Sequence, residues 1–366
     1  MHRLLLVGVS ALVSIALALL VGAHGVASRV GVIGPDSRSI PNGLIVFVSR
    51  SGCCADVTGH VFGPIYVMRA DGSGQRPLTH SRSTDKVPVW SADGKRIAFT
   101  RLVQGKGLAG LGIYTMNADG SEQRKLVSGA FPAWSPDGRR IVLLRFLSEI
   151  NSEIYVVNAD GSGSRRLTTT RSPESAASWS SDGTMLAFDR STPVGVAEHD
   201  LYVMNADGTH VRRLTGYPQE LISTDPAWSP NGNTIAFVNG NGEISTIAAD
   251  GNNYRSLRKQ RDLTADVYDL VPAWSPDGSR IAFVHDNADE MVTDLYVVEA
   301  DGSGLQRLAS HVGADLPAWS TDGTKIAFTK DIRDHFYIYV INANGTGERP
   351  LTTRGYSDDP NWQPSN

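Results

Sequence analysis

The chain has 366 residues, enough for two or three ordinary domains or one large repetitive one. Its 41% hydrophobic content supplies a core and argues against general disorder. A formal net charge of −4, with no run of lysine and arginine, argues against nucleic-acid binding, which draws on clustered positive charge.

In chain order, Arg3 and an apolar stretch over residues 4–21 come first, followed by Gly25 and Ala27 spaced like the −3 and −1 positions of a signal-peptidase site. Residues 1–27 therefore read as a signal peptide or as a retained membrane anchor. The 18 residues of the stretch are long for the former and just sufficient for the latter. Residues 28–40 read as a linker, and no second apolar span follows, so residues 41–366 are expected outside the cytoplasmic membrane. Cys53 and Cys54 are the two cysteines, and neighbours pair only through a strained ring. They form a vicinal disulfide, a link to another chain or two buried thiols. None of these staples a fold, so stability has to come from packing.

From residue 41 onward the sequence repeats. All seven tryptophans share one context: "VPVWSADG" at Trp90, "FPAWSPDG" at Trp134, "AASWSSDG" at Trp179, "DPAWSPNG" at Trp228, "VPAWSPDG" at Trp274, "LPAWSTDG" at Trp319 and "DPNWQPSN" at Trp362. Their spacings are 44, 45, 49, 46, 45 and 43 residues. After each Asp-Gly or Asn-Gly comes an apolar run such as "RIAF", then a variable loop, a run such as "IYVM", an Ala-Asp-Gly turn and a run such as "RRLT". Short β-branched and aromatic runs bounded by such turns predict strands joined by hairpins. Each period thus holds four strands: A with the tryptophan, B with Ile-Ala-Phe, C with Ile-Tyr-Val and D with Arg-Leu-Thr. Strands B and C are apolar at nearly every position, whereas D is charged and carries Pro77 and Pro350, as an edge strand does. Stacked four-stranded sheets with A inside and D outside make an all-β, seven-bladed β-propeller of antiparallel blades. The first repeat lacks strand A and the last stops after it, so N-terminal strands B–D plus C-terminal strand A are expected to close the ring and remove the exposed edges.

The repeated pattern "IYVMNADGSGxRRLT…PAWSPDGxxIAF" resembles the WD40-like repeat of the TolB propeller family over roughly residues 41–366. TolB itself is a periplasmic protein of the Tol-Pal system, with a six-bladed propeller behind an N-terminal α/β domain. Here the repeats count to seven and leave no room for that domain. The resemblance implies an extracytoplasmic, periplasmic or secreted TolB-like propeller, other than TolB itself, that binds a protein or peptide partner at the cell envelope.

Catalytic motifs are scarce: there is no Gly-x-Ser-x-Gly elbow and no His-Glu-x-x-His pair. "NADGSG" lacks the length and closing glutamate of an EF-hand and reads as a hairpin turn. The A–B and C–D turns are short and uniform, while the D–A and B–C connections vary, so binding is expected on the variable-loop face. Just before strand A, acids recur at Asp85, Glu174, Asp225, Asp269, Asp315 and the Asp358-Asp359 pair; only "LVSGAFPAW" lacks one. Two readings follow: carboxylates that hold their own loops, or an acidic ring at the channel mouth that attracts a metal ion or a cationic partner segment. His60, His199, His285 and His335 are expected in B–C loops and His80 and His311 near D–A loops, the best place to look for a metal. Arginines of strand D, such as Arg124, Arg166, Arg213 and Arg307, read as solvated charges that blunt the outer edge. The sequence thus points to a monomeric, non-enzymatic binding propeller with no required cofactor. A metal-dependent lyase or hydrolase using histidines and acids on the same face is the alternative, and attachment through residues 4–21 is a third possibility.

Overall fold

The computed structural model describes residues 43–50, 63–80, 84–148, 150–191, 199–216, 224–258, 267–287, 292–333 and 335–364. The proposed signal or anchor and linker, Cys53, Cys54 and His60 lie outside them. No helix among the described residues is long and apolar enough to cross a membrane.

The expected strands form seven four-stranded antiparallel sheets. Blade 1 joins Tyr356–Trp362 to Ile45–Arg50, Ile65–Met68 and Arg76–Pro77, with Ile45 opposite Trp362 and Val46 opposite Asn361. The chain ends therefore close the ring as the repeat predicts. The inner strands of blades 2 to 7 are Asp85–Trp90, Ala130–Trp134, Glu174–Trp179, Thr224–Trp228, Val267–Trp274 and Ala318–Trp319. Each touches the inner strand of the next blade, and this continuous contact defines the axis. Second strands such as Arg96–Leu102 and Arg140–Ser148 bury their Ile-Ala-Phe or equivalent runs completely, because a sheet covers each face.

The tryptophans pack between blades. Trp90, Trp134, Trp179, Trp274 and Trp319 each donate the indole N–H to an inner-strand carbonyl of the preceding blade, at 3.0–3.2 Å. Trp134, for example, donates to Val89 O and is 5% exposed. At three interfaces an arginine at the start of the second strand covers the next blade's ring. Arg96 stands 4.7 Å from the Trp134 centroid, Arg140 4.7 Å from Trp179 and Arg280 5.0 Å from Trp319.

Outer strands are shorter than their sequence pattern suggests. In five blades they contain two residues, as at Arg165–Arg166, and the leucine that follows turns inward, with a threonine after it in four of the five. Leu78, Leu167, Leu257, Leu308 and Leu351 are buried. Thr79, Thr168, Thr215 and Thr352 cap the third strand by accepting the N–H of Ile65, Ile154, Leu201 and Ile338. The strand-D arginines are tied down rather than merely solvated. Arg124 reaches the Asp160 and Ala159 carbonyls of the next blade, while Arg166, Arg213 and Arg307 pair with Glu153, Asp200 and Asp294 of their own.

Candidate functional site

Six inner strands contain a bulge near their channel-mouth end. The residue three before the tryptophan there is left-handed: Val87, Phe131, Ala176, Asp225, Val271 and Asp359 have φ between 47° and 56°. β-Branched Val87 and Val271 are unfavourable in this region, so something must hold them. Cross-blade hydrogen bonds supply part of the restraint. Val87 N–H donates to Asp359 Oδ2 at 3.1 Å, Phe131 N–H to Thr100 Oγ1 at 3.0 Å, and Val271 N–H to the Asp225 carboxyl.

Because of the bulge, the predicted acids do not share one position. Asp85, Glu174 and Asp269 stand five residues before their tryptophan, Asp315 and Asp358 four, and Asp225 and Asp359 three. The first group turns to basic groups: each acid meets one on the second strand of its own blade, and Asp269 also takes Arg258 from the end of blade 5. Asp85, fully buried, takes Arg101 Nε at 2.5 Å and Nη2 at 2.8 Å. Glu174 takes Arg190 Nε at 3.0 Å and the hydroxyls of Thr168 and Thr170. Asp269 takes Arg258 Nη1 at 2.6 Å, His285 Nδ1 at 2.9 Å and the Ile244 N–H at 3.0 Å. Arg101, Arg190 and His285 occupy the same place on the second strand, four residues past its leading aliphatic side chain. The second group is buried too, with Asp315 at 6% and Asp358 at 2% exposure. Lys86, also buried, stands in their register in blade 2, so the mouth is not uniformly acidic.

Burial alters the charge of two of these acids. It pushes Glu174 up to about 7, with Glu153 adding to the shift and Thr168 and Arg190 opposing it. Burial also pushes Asp225 up to about 8, reinforced by the Asp189 carboxylate and opposed by the Val271 N–H and His199. Asp225 is thus mostly protonated at neutral pH, and the mouth carries less negative charge than its formal count.

Next to Asp225 lies a group that the sequence did not reveal. Ser191 Oγ is 3.3 Å from His199 Nε2, and His199 Nδ1 is 3.1 Å from Asp189 Oδ2, which also accepts from Ser175 Oγ. The order resembles a nucleophile relay, but Ser191 is 3% exposed and closed to an approaching substrate. Ser191 and His199 are cross-strand partners, which accounts for their contact. His199 opens the third strand and His285 lies within the second, so neither is in a B–C loop as expected; each is oriented by a carboxylate. Among the described residues no group of three or more His, Cys, Asp or Glu is placed to hold a metal ion.

The family described as the TolB beta propeller domain matches residues 127–261 and 197–366. A Protein TolB homolog of Chlorobium luteolum is 33% identical over 152 residues, which is 41% of this chain and 32% of that protein, so the match spans about a third of the relative's length. Among solved structures, TolB from Acinetobacter baumannii superposes with a TM-score of 0.55 at 16% identity, covering 92% of this chain and 91% of that one. An oligogalacturonate lyase in complex with manganese gives 0.58 at 13% identity, covering 85% of each chain. These two likenesses show the fold alone. With a seven-bladed ring built from its repeats and the family match over residues 127–366, this chain belongs to the TolB beta-propeller domain family.

Proposed function

We propose that the protein works outside the cytoplasmic membrane as a monomeric, non-enzymatic propeller that binds a protein or peptide partner through its variable-loop face. The observation that carries this reading is the set of carboxyl groups that six blades bring to the start of their inner strands, where the loops of that face converge. Membership of the TolB beta-propeller family supports the envelope location, as does the leader-like sequence before the repeats. Asp315 and Asp359, whose blades adjoin, are the acids through which a cationic segment of the partner is expected to be attracted. The test is recovery of a partner from envelope extract by the wild-type protein and by an Asp315→Asn, Asp359→Asn double variant with an unchanged circular dichroism spectrum. Recovery is expected to fall about tenfold, corresponding to one lost charge-assisted contact or more. Equal recovery would remove the acids from the binding site.

The second reading, a metal-dependent lyase or hydrolase on this face, draws on the Asp189–His199 and Asp269–His285 pairs, since carboxylates commonly orient metal-binding imidazoles. Metal analysis of the purified full chain separates the two. A stoichiometric divalent ion lost on replacing His199 and His285 would favour the enzyme.

A further inference from the structure

The opposite face, formed by the short turns, holds a recurring seat for a guanidinium group. Arg96, Arg140 and Arg280 not only cover the next tryptophan but also donate to the glycine carbonyl of the next blade's A–B turn. Those bonds run to Gly138 O at 2.8 Å, Gly183 O at 3.1 Å and Gly323 O at 3.4 Å. Arg280 adds a bond to Ala343 O at 3.2 Å, on the C–D turn. The seat is therefore an indole face plus one or two carbonyls, a match for a flat cation with diverging N–H donors.

In three other blades the corresponding position carries a long side chain of another type: Leu44, Met185 and Lys325. Thr234 of blade 5 is the short exception. The tryptophan it faces, Trp274, is the one of the seven that is not fully buried. A cavity of about 330 Å³ opens there, lined by Thr234, Thr246, Arg255, Trp274, Gly278 and Ala300 among others. Gly278 and Ala300 are the counterparts in blade 6 of Gly323 and Ala343 in blade 7. The indole and both carbonyl-bearing residues that seat Arg280 one interface further on are thus all present, and Thr234 is too short to reach them.

We propose that the cavity between blades 5 and 6 is a docking point for an arginine side chain of a protein partner. The incoming guanidinium lies over Trp274 and donates to the carbonyls of Gly278 and Ala300, as Arg280 does within the chain. Arg255 on the cavity wall does not exclude a second cation. Its guanidinium is committed to Asp301 O at 2.9 Å, and the equivalent bonds of Arg124 and Arg165 coexist with Arg96 and Arg140 at their interfaces. Lysine fits less well, because an ammonium is a compact point charge and cannot stack flat while forking to two carbonyls. The site lies on the face away from the variable loops and does not depend on the function proposed above.

The test is a fluorine NMR titration of the full chain labelled with 5-fluorotryptophan, with the Trp274 signal assigned through Trp274→Phe. N-acetyl-arginine amide is the probe, and N-acetyl-citrulline amide is the neutral control of the same shape. The Trp274 signal is expected to shift with a Kd on the order of 10 mM, reasonable for one small fragment, and at least about fivefold more weakly with citrulline. Thr234→Arg, which supplies the arginine internally, is expected to abolish the response; Thr234→Met, copying Met185, serves if that variant does not fold. A Trp274 signal that does not move, equal shifts from both amides, or an undiminished shift in the filled variants would each overturn the proposal. Failure to recover an envelope partner leaves all of these readings unchanged.

Discussion

The interfaces between blades 2 and 3 and between blades 5 and 6 are built on one plan and finished differently. At the first, Arg96 covers Trp134 on the turn face and Thr100 caps the left-handed Phe131 near the channel. At the second, Thr234 leaves Trp274 partly exposed, and the protonatable carboxyl of Asp225 caps Val271. The repeat thus specifies the backbone and the tryptophan, while the residues that seal each interface are free to vary. Where the seal is weak, the interface gains a cavity on one face and a titratable group near the other. Regularity builds the ring, and departures from it are where binding properties can reside.

The largest test of this contrast removes the tryptophans themselves. Trp134→Ala deletes a buried ring, its N–H bond to Val89 O and the surface on which Arg96 rests, and is expected to cost about 3–5 kcal/mol. Trp274→Ala loses a ring that is already partly solvated and has no arginine lid, so about 1–3 kcal/mol is expected. Denaturant midpoints at unchanged slope measure both. Equal costs would mean that the arginine seal adds nothing.

Much of the architecture was legible in the sequence because it depends on periodic features. Seven tryptophans, Asp-Gly turns at fixed offsets and a missing first strand A dictate both blade number and closure. The partners of the acids were less legible. Asp85, Asp315 and Asp359 all precede a tryptophan, but at offsets of five, four and three residues, and the bulge within that short span means that neighbouring offsets send their side chains to different partners. Arg101, Arg190 and His285 did carry a signal, since they share one column of the repeat. Its meaning required knowing that this column and the acid five before the tryptophan meet across paired strands. Likewise Thr234 is visibly the short member of its column, but only the packing shows that the column covers the next blade's tryptophan. Asp189, Ser191 and His199 come together across strands, and no linear motif marks such a group.

The channel end of the comparison predicts a difference in pH response. In the unfolded chain Asp225 titrates near the ordinary carboxylate value of about 4; in the folded protein it is pushed up to about 8. Between those values the folded state holds the extra proton, so stability is fullest below about pH 4 as far as this group is concerned and declines as pH rises towards 8. Asp225→Asn keeps an oxygen for the Val271 N–H and removes the buried charge and its repulsion with Asp189. The variant is expected to be more stable than wild type by about 2 kcal/mol at pH 8, with the advantage shrinking towards pH 5. Thermal unfolding across that range measures it. A constant difference at all pH values would show that Asp225 is not the titrating group. Thr100→Val, at the other interface, is expected to show no such pH dependence.

The smallest effects come from trimming the seals. Arg96→Ala removes a partly buried cation from the Trp134 ring and a charge-assisted bond to Gly138 O, each worth about 1 kcal/mol in a half-exposed setting, but it leaves a carbonyl that water can reach. A net loss of about 1–2 kcal/mol is expected. Thr234→Ala removes a side chain that does not cover its tryptophan, so about 0.5 kcal/mol or less is expected. The informative quantity is the coupling in a double-mutant cycle with the tryptophan of the next blade. Arg96 and Trp134 should be coupled by about 1 kcal/mol, because removing the ring takes away what the guanidinium rests on. Thr234 and Trp274 should be additive. Coupling of similar size in both cycles would mean that Thr234 seals its interface as effectively as arginine does, and the cavity beside it would then be an ordinary packing gap rather than a place kept open.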